Sequence, residues 1–440
     1  MKEIKLLFYT SSFFSLLILA LNFNQLSLIF ISLFFLFFPT IFFKNKTLTI
    51  YFLSLSVSVI YFVIYTFITL YETNSLFLSG GDDEFFYISS LQLFENGFDT
   101  DSQLAGRRDV ISVNYIGYLY LNYIIINILD FIPFFEVDIL SFRLVKYLLT
   151  ALIPVLIYKI FQKTVFRLNN KGILILILFP QLIFFNYSLI RSSYISLLFC
   201  LLVYVILYFR NRIIKYLFVI VIIAITAVFR DVSALFLLSF LIFFILKLEK
   251  RNILFSLSII LLTVYSSFFL FSQTALGIKL SNVQEAFFEL STSSNNSSLG
   301  LSILLSKNPL MFPIKLVYII LSPIPPKFIY NINIINFINL FGNLSWYIIS
   351  LGCAVYYVKI KKIRDKFSDK ISIPLFLCLF FSTIIVLNTT LNPRHIAFIY
   401  PFFVPIGIYG LNSLNDANKK LLYVISVTAA IILFILLKIL

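Results

Sequence analysis

The chain has 440 residues, 61% of them hydrophobic and 12% charged, with a mean hydropathy of +1.01 and a formal net charge of +15. A soluble domain is about 45–50% apolar and about 25% charged, so this sequence has too little polar surface to fold in water. Apolar stretches of roughly 20 residues recur from end to end, without the alternation of a β-barrel, and predict an all-α polytopic membrane protein forming one integral domain over 1–440.

The first apolar stretch follows Met1-Lys2-Glu3-Ile4-Lys5 without a small-residue cleavage site and reads as a retained span, not a secretory signal. Crossings are predicted at 5–22, 25–43 and 48–70. Lys2, Lys5, Lys44 and Lys46 mark the cytoplasmic side, because Lys and Arg stay on that face. Along the chain such clusters hold 22 of the 34 Lys and Arg, whereas 14 of the 19 Asp and Glu fall on the outer side. In a membrane chain this bias accounts for the positive net charge, and nucleic acid is not a predicted partner.

Residues 72–114 form the first long outer loop. It carries Gly80-Gly81-Asp82-Asp83-Glu84-Phe85-Phe86-Tyr87, followed by a helix-like stretch to Gly97. Three adjacent carboxylates repel one another; they become useful with a divalent cation, a proton or a bound hydroxyl between them. The paired glycines permit close backbone approach. The competing reading is an acidic cap on a surface helix. Asp82, Asp83 and Glu84 are the candidate catalytic group, with Tyr87 beside them. Arg107 and Arg108 close the loop, placed either to grip a phosphate or to pair with Asp99 and Asp101.

The stretch 114–134 does not fit as a crossing, since it would put the basic clusters after it on the wrong face; it reads as an interfacial or re-entrant helix. Crossings follow at 139–158, 172–189, 193–209, 213–229, 232–246 and 253–271. Arg191 and Arg230 sit at outer helix ends, against the positive-inside bias, where cations usually pair or line a polar cavity. Arg230 has Asp231 beside it for an ion pair; Arg191 has no adjacent acid.

The second long outer loop, 273–309, contains the polar run Ser291-Thr292-Ser293-Ser294-Asn295-Asn296-Ser297-Ser298. A second interfacial stretch, 310–328, carries Pro313, Pro323, Pro325 and Pro326, which interrupt helix hydrogen bonding. The last crossings are 338–358, 372–388, 395–411 and 420–438, for about 11–14 spans in all. Arg394 and His395 stand near the outer start of the third of these, placed for anion contact and acid–base work respectively, or for structural hydrogen bonding. Cys200, Cys353 and Cys378 lie inside apolar stretches, and one histidine cannot build a Cys/His metal site.

The string Gly81-Asp82-Asp83-Glu84-Phe85-Phe86-Tyr87 resembles the acidic hallmark in the first large outer loop of GT-C glycosyltransferases, and Arg394-His395…Pro401…Pro405 resembles their late arginine and proline pattern. That resemblance implies a polyprenyl-phosphate sugar donor and a carboxylate, Asp83, that binds Mg²⁺ or Mn²⁺ or deprotonates the acceptor. A second set, Phe179-Pro180…Tyr187-Ser188-Leu189-Ile190-Arg191 and Phe229-Arg230-Asp231-Val232-Ser233-Ala234-Leu235, is similar to O-antigen and exopolysaccharide polymerases. It implies a bacterial inner-membrane enzyme that polymerises undecaprenyl-diphosphate-linked repeat units on the periplasmic face, without a fixed cofactor and beside a chain-length regulator. The polymerase is the preferred expectation: a carboxylate acts as base, and Arg107, Arg108, Arg191, Arg230, Arg394 and Tyr87 hold diphosphate or glycan. Single-sugar GT-C transfer is the alternative, and a lipid-linked oligosaccharide flippase the alternative from another class.

Overall fold

The computed structural model describes residues 2–23, 25, 27–77, 82–95, 116–131, 138–179, 191–245, 334–359, 366–387, 396–421, 423–424 and 428. Regular structure among them is entirely helical. Among the described residues, three helices are long and apolar enough to cross a membrane by length and composition: Asn45–Thr73, Ile139–Phe161 (with one break) and Arg212–Phe229. The predicted stretches at 253–271 and 310–328, and the loop 273–309, lie outside the described residues, as does most of 420–438.

The chain divides into two compact units, the first made of Met1–Gln162 and Arg167–Leu235. Its central helix is α3 (Asn45–Thr73), with α1 (Lys2–Asn22) packed along it. The intervening α2 (Ser27–Phe37) gives way to a 3₁₀ turn at Phe38–Ile41. Pro39 explains the change, since the residue before a proline is disfavoured in the α region. Next come α4 (Asp82–Glu95) and α5 (Ile116–Asp130), packed against each other.

The predicted crossing at 139–158 is two helices, α6 (Ile139–Thr150) and α7 (Leu152–Phe161). The break at Ala151 follows from Pro154, whose nitrogen cannot donate to the carbonyl of Thr150. The Thr150 hydroxyl bonds back to the Lys146 and Tyr147 carbonyls, each at 3.0 Å. Both helices pack on α3. α8 (Asn170–Ile177) is capped by the Asn169 side chain on the Gly172 amide, while α9 (Ser192–Tyr208) and α10 (Arg212–Phe229) run as an antiparallel pair. α10 leaves Ile213, Leu217, Ile220 and Val228 more than half exposed, an apolar face suited to lipid.

The second unit comprises Lys163–Phe166 and Phe236–Leu440. Its described helices are the later part of α11 (Asp231–Ile245), α12 (Ile334–Lys359), α13 (Lys366–Leu387) and α14 (Tyr400–Asn412). α14 starts at Tyr400, later than the predicted 395, because Pro401 suits a first helical turn and the preceding Ala397–Ile399 is a 3₁₀ turn. Cys378 donates to the Phe236 carbonyl at 3.3 Å, and all three cysteines are buried and free.

α12 and α14 cross with their backbones nearly touching. A Cβ on Gly410 would lie 1.9 Å from the Gly352 carbonyl oxygen, and one on Gly352 would lie 2.2 Å from the Gly407 oxygen. In lipid such close van der Waals packing is a main source of helix association. The Trp346 and Tyr400 rings, stacked at 3.9 Å, lie on the same helix pair. Gly410→Ala should therefore force the helices apart, with a loss of about 1–3 kcal/mol or more, read as a lowered thermal midpoint in detergent.

Candidate functional site

The candidate residues within the described chain gather at one end of the first unit, where α3 ends and α4, α6 and α9 begin. α4 begins at Asp82, so Asp82, Asp83 and Glu84 form its first turn, the helix start that the competing cap reading describes. There the acids oppose the partial positive charge of the free amides. Glu84 is exposed. The Asp82 and Asp83 side chains, and Arg107, Arg108, Arg394 and His395, lie outside the described residues.

One turn on, Phe86 and Tyr87 point to different partners. Tyr87 is half-buried, its ring 5.9 Å from that of Phe77. Burial, and after it the Asp138 carboxylate, push its phenol up to about 12, against a lowering hydrogen bond with the Ile139 backbone. The hydroxyl thus stays protonated at neutral pH. Asp138 itself caps α6, its side chain accepting from the Ser141 amide at 2.7 Å.

Phe86 is buried and meets Tyr118 of α5 edge-on at 5.1 Å. Tyr118 in turn meets Tyr194 of α9 at 6.0 Å and Phe229 of α10 at 6.3 Å. Four helices thus share one aromatic cluster, each pair contributing about 0.5–1.5 kcal/mol beyond its buried area. Two further contacts hold α5 in place. Asn122 donates to the Ser90 hydroxyl of α4 at 3.1 Å, and a Cβ on Gly117 would fall 2.5 Å from the Val228 carbonyl oxygen.

Cations stand around this cluster. Arg191, half-buried at the head of α9, lies over the Phe86 ring at 5.9 Å and donates to the Phe229 carbonyl at 2.7 Å. Phe229 and Arg230 share that peptide unit, and the Arg230 amide donates to the Thr226 carbonyl to close α10. The structure therefore brings Arg191, the Arg230 backbone and the helix bearing the acidic turn and Tyr87 together.

Two residues of the site escape the sequence pattern. Arg143 and Lys146 lie three apart on α6 and are fully buried. Arg143 donates to the Leu76 carbonyl and lies over Phe77 at 6.0 Å, the ring that meets Tyr87. Lys146 lies over Tyr194 at 6.0 Å, the ring that meets Tyr118. From Ile139 they sit about 6 Å and about 10 Å along the helix. The signal available in the sequence is two cations inside an apolar span, a pattern that marks functional positions in membranes.

Chemically, the arrangement sets cations fixed by carbonyls and ring faces beside a helix whose first turn is acidic in sequence. Among the described residues no group of three or more His, Cys, Asp and Glu converges as a metal site. The acidic turn offers the oxygen donors that Mg²⁺ and Mn²⁺ prefer, with Asp83 the ligand implied by the GT-C resemblance. Compared with known proteins, the chain matches no family model, no curated protein and no solved structure.

Proposed function

We propose that the chain is a membrane glycan transferase of surface-polysaccharide assembly that joins undecaprenyl-diphosphate-linked repeat units. In this reading it sits in a bacterial inner membrane and crosses about 11–14 times. The acidic turn faces the periplasm, and α5 serves as an interfacial helix. The observation that carries the reading is Arg191 and Lys146 on the aromatic cluster, with Arg143 over the Phe77 ring that meets Tyr87, beside a helix that begins Asp82-Asp83-Glu84. The polymerase resemblance of 179–191 and 229–235 supports it as well, while the GT-C resemblance of 81–87 and 394–405 supports glycan transfer from a polyprenyl carrier in general.

A carboxylate of the acidic turn, Asp83 foremost, takes the proton of an acceptor sugar hydroxyl. The hydroxyl oxygen forms a bond to the anomeric carbon of the growing chain as the bond to diphosphate breaks. The diphosphate departs with the bonding pair, and Arg191, Arg143 and Lys146 offset its charge. Tyr87, half-buried on the helix with the acidic turn, offers its ring and hydroxyl to a sugar. A GT-C transfer of one sugar is the second reading, favoured by the acids heading a packed helix instead of a loose loop. A divalent cation bound there would polarise the phosphate-bearing donor.

The test is the full chain in proteoliposomes with an undecaprenyl-diphosphate oligosaccharide. A ladder of longer glycans is expected, whereas addition of one sugar from a polyprenyl monophosphate, lost on chelation and restored by Mg²⁺ or Mn²⁺, marks the GT-C reaction. Lipid-linked glycan crossing the bilayer without covalent change overturns both readings. In the same assay Arg191→Ala should lower kcat/KM about 10²-fold, and Arg191→Lys should recover only part, because the planar fork is lost. Full activity of the alanine variant would remove Arg191 from the site.

A further inference from the structure

At the opposite end of the first unit, α3 begins while α7 and α9 end. Lys159 of α7 has its ammonium 4.7 Å from the Phe43 ring and 5.7 Å from that of Tyr204. Lys46 of α3 lies over Tyr158, the residue next to Lys159, at 5.3 Å. Tyr208 ties α9 to the same place, its hydroxyl donating to the Lys159 carbonyl at 2.7 Å. Two ammoniums from two helices are thus held in position by three aromatic rings, and cation–π contact lowers the freedom each would otherwise lose on meeting an anion.

Within the three segments that build this end, the charge has one sign. Lys44, Arg167, Arg210 and Arg212 are exposed in the same segments, and no Asp or Glu occurs in 38–51, 152–171 or 200–217. Next to Phe43, large apolar side chains stand open: Phe37 is 65% exposed, Ile41 71% and Phe42 63%. A phosphate for the lysines and hydrocarbon for these side chains belong to one molecule, a phospholipid; a free phosphate would leave the apolar strip uncovered. Basic sites between helices hold lipid head groups in this way.

We propose that Lys46 and Lys159, bracketed by Phe43, Tyr158 and Tyr204, bind the phosphate of an anionic phospholipid whose acyl chains lie on Phe37, Ile41 and Phe42. The site lies far from the acidic turn and does not depend on the glycan-transfer reading.

Native mass spectrometry of the full chain in detergent, titrated with phosphatidylglycerol, tests it. The wild type should bind phosphatidylglycerol well above phosphatidylcholine, and inorganic phosphate should not displace it. Lys46→Gln and Lys159→Gln should each weaken binding about fivefold and together about thirtyfold, whereas the double arginine variant retains it. Unchanged affinity in the glutamine variants, equal binding of phosphatidylcholine, or displacement by inorganic phosphate would overturn the proposal. If the double glutamine variant fails to fold, the single variants decide by the same fivefold criterion.

Discussion

Asp83→Asn should abolish glycan transfer, by about 10²–10⁴-fold, with normal membrane levels of protein. The size of the loss discriminates because asparagine preserves what a structural role needs. It matches aspartate in volume and caps helices about as well, so an acid that merely heads α4 would be replaced at almost no cost. It cannot accept a proton at neutral pH, and it is a weaker ligand for a divalent cation. Asp82→Asn should reduce transfer less severely. The measurement is product formed per folded enzyme, with membrane level and thermal midpoint recorded alongside. Wild-type product from both variants would make the acidic turn structural and move the chemistry elsewhere.

Lys146→Met should lower kcat/KM by about 10²–10³-fold, the scale seen when one charged or polar stabiliser of a developing anion is removed. Methionine keeps the length and apolar stem of lysine, so packing against Tyr194 survives. A purely structural lysine would give the opposite result. Replacing a fully buried charge by an apolar side chain of similar volume is often neutral or stabilising, and activity would stay intact. Lys146→Arg should retain part of the activity. Arg143 is a less clean test, because its loss also frees the Leu76 carbonyl that it anchors.

Much of the helix layout was legible in the sequence. The predicted spans 48–70 and 213–229 are the cores of Asn45–Thr73 and Arg212–Phe229, and the helix beginning at Asp82 was readable from its acids. Long apolar runs and acidic first turns are local signals, and local signals survive without knowledge of contacts. The break at Ala151 was hidden because apolar character continues through Pro154. Arg143 and Lys146 were hidden for the same reason: a window of hydrophobic neighbours outweighs two charges. Their significance comes from Leu76, Phe77 and Tyr194, which are remote in sequence. The glycine contacts of α12 with α14 are likewise tertiary, since no spacing within α12 says where the Gly407 carbonyl will lie.

The seat of α5 sets an order of events during synthesis. The 15 described residues of α5 cover about 22 Å. Its partner α4 is already made when it leaves the ribosome, and the Asn122–Ser90 bond can form within that hairpin. The surface that receives Gly117 is different: Val228 belongs to α10 and is translated 111 residues later. At about 5–20 residues per second the hairpin waits roughly 5–20 s for its seat. Chains halted before Phe229 should therefore expose the α4–α5 hairpin to proteases, while chains released just beyond it should hide it.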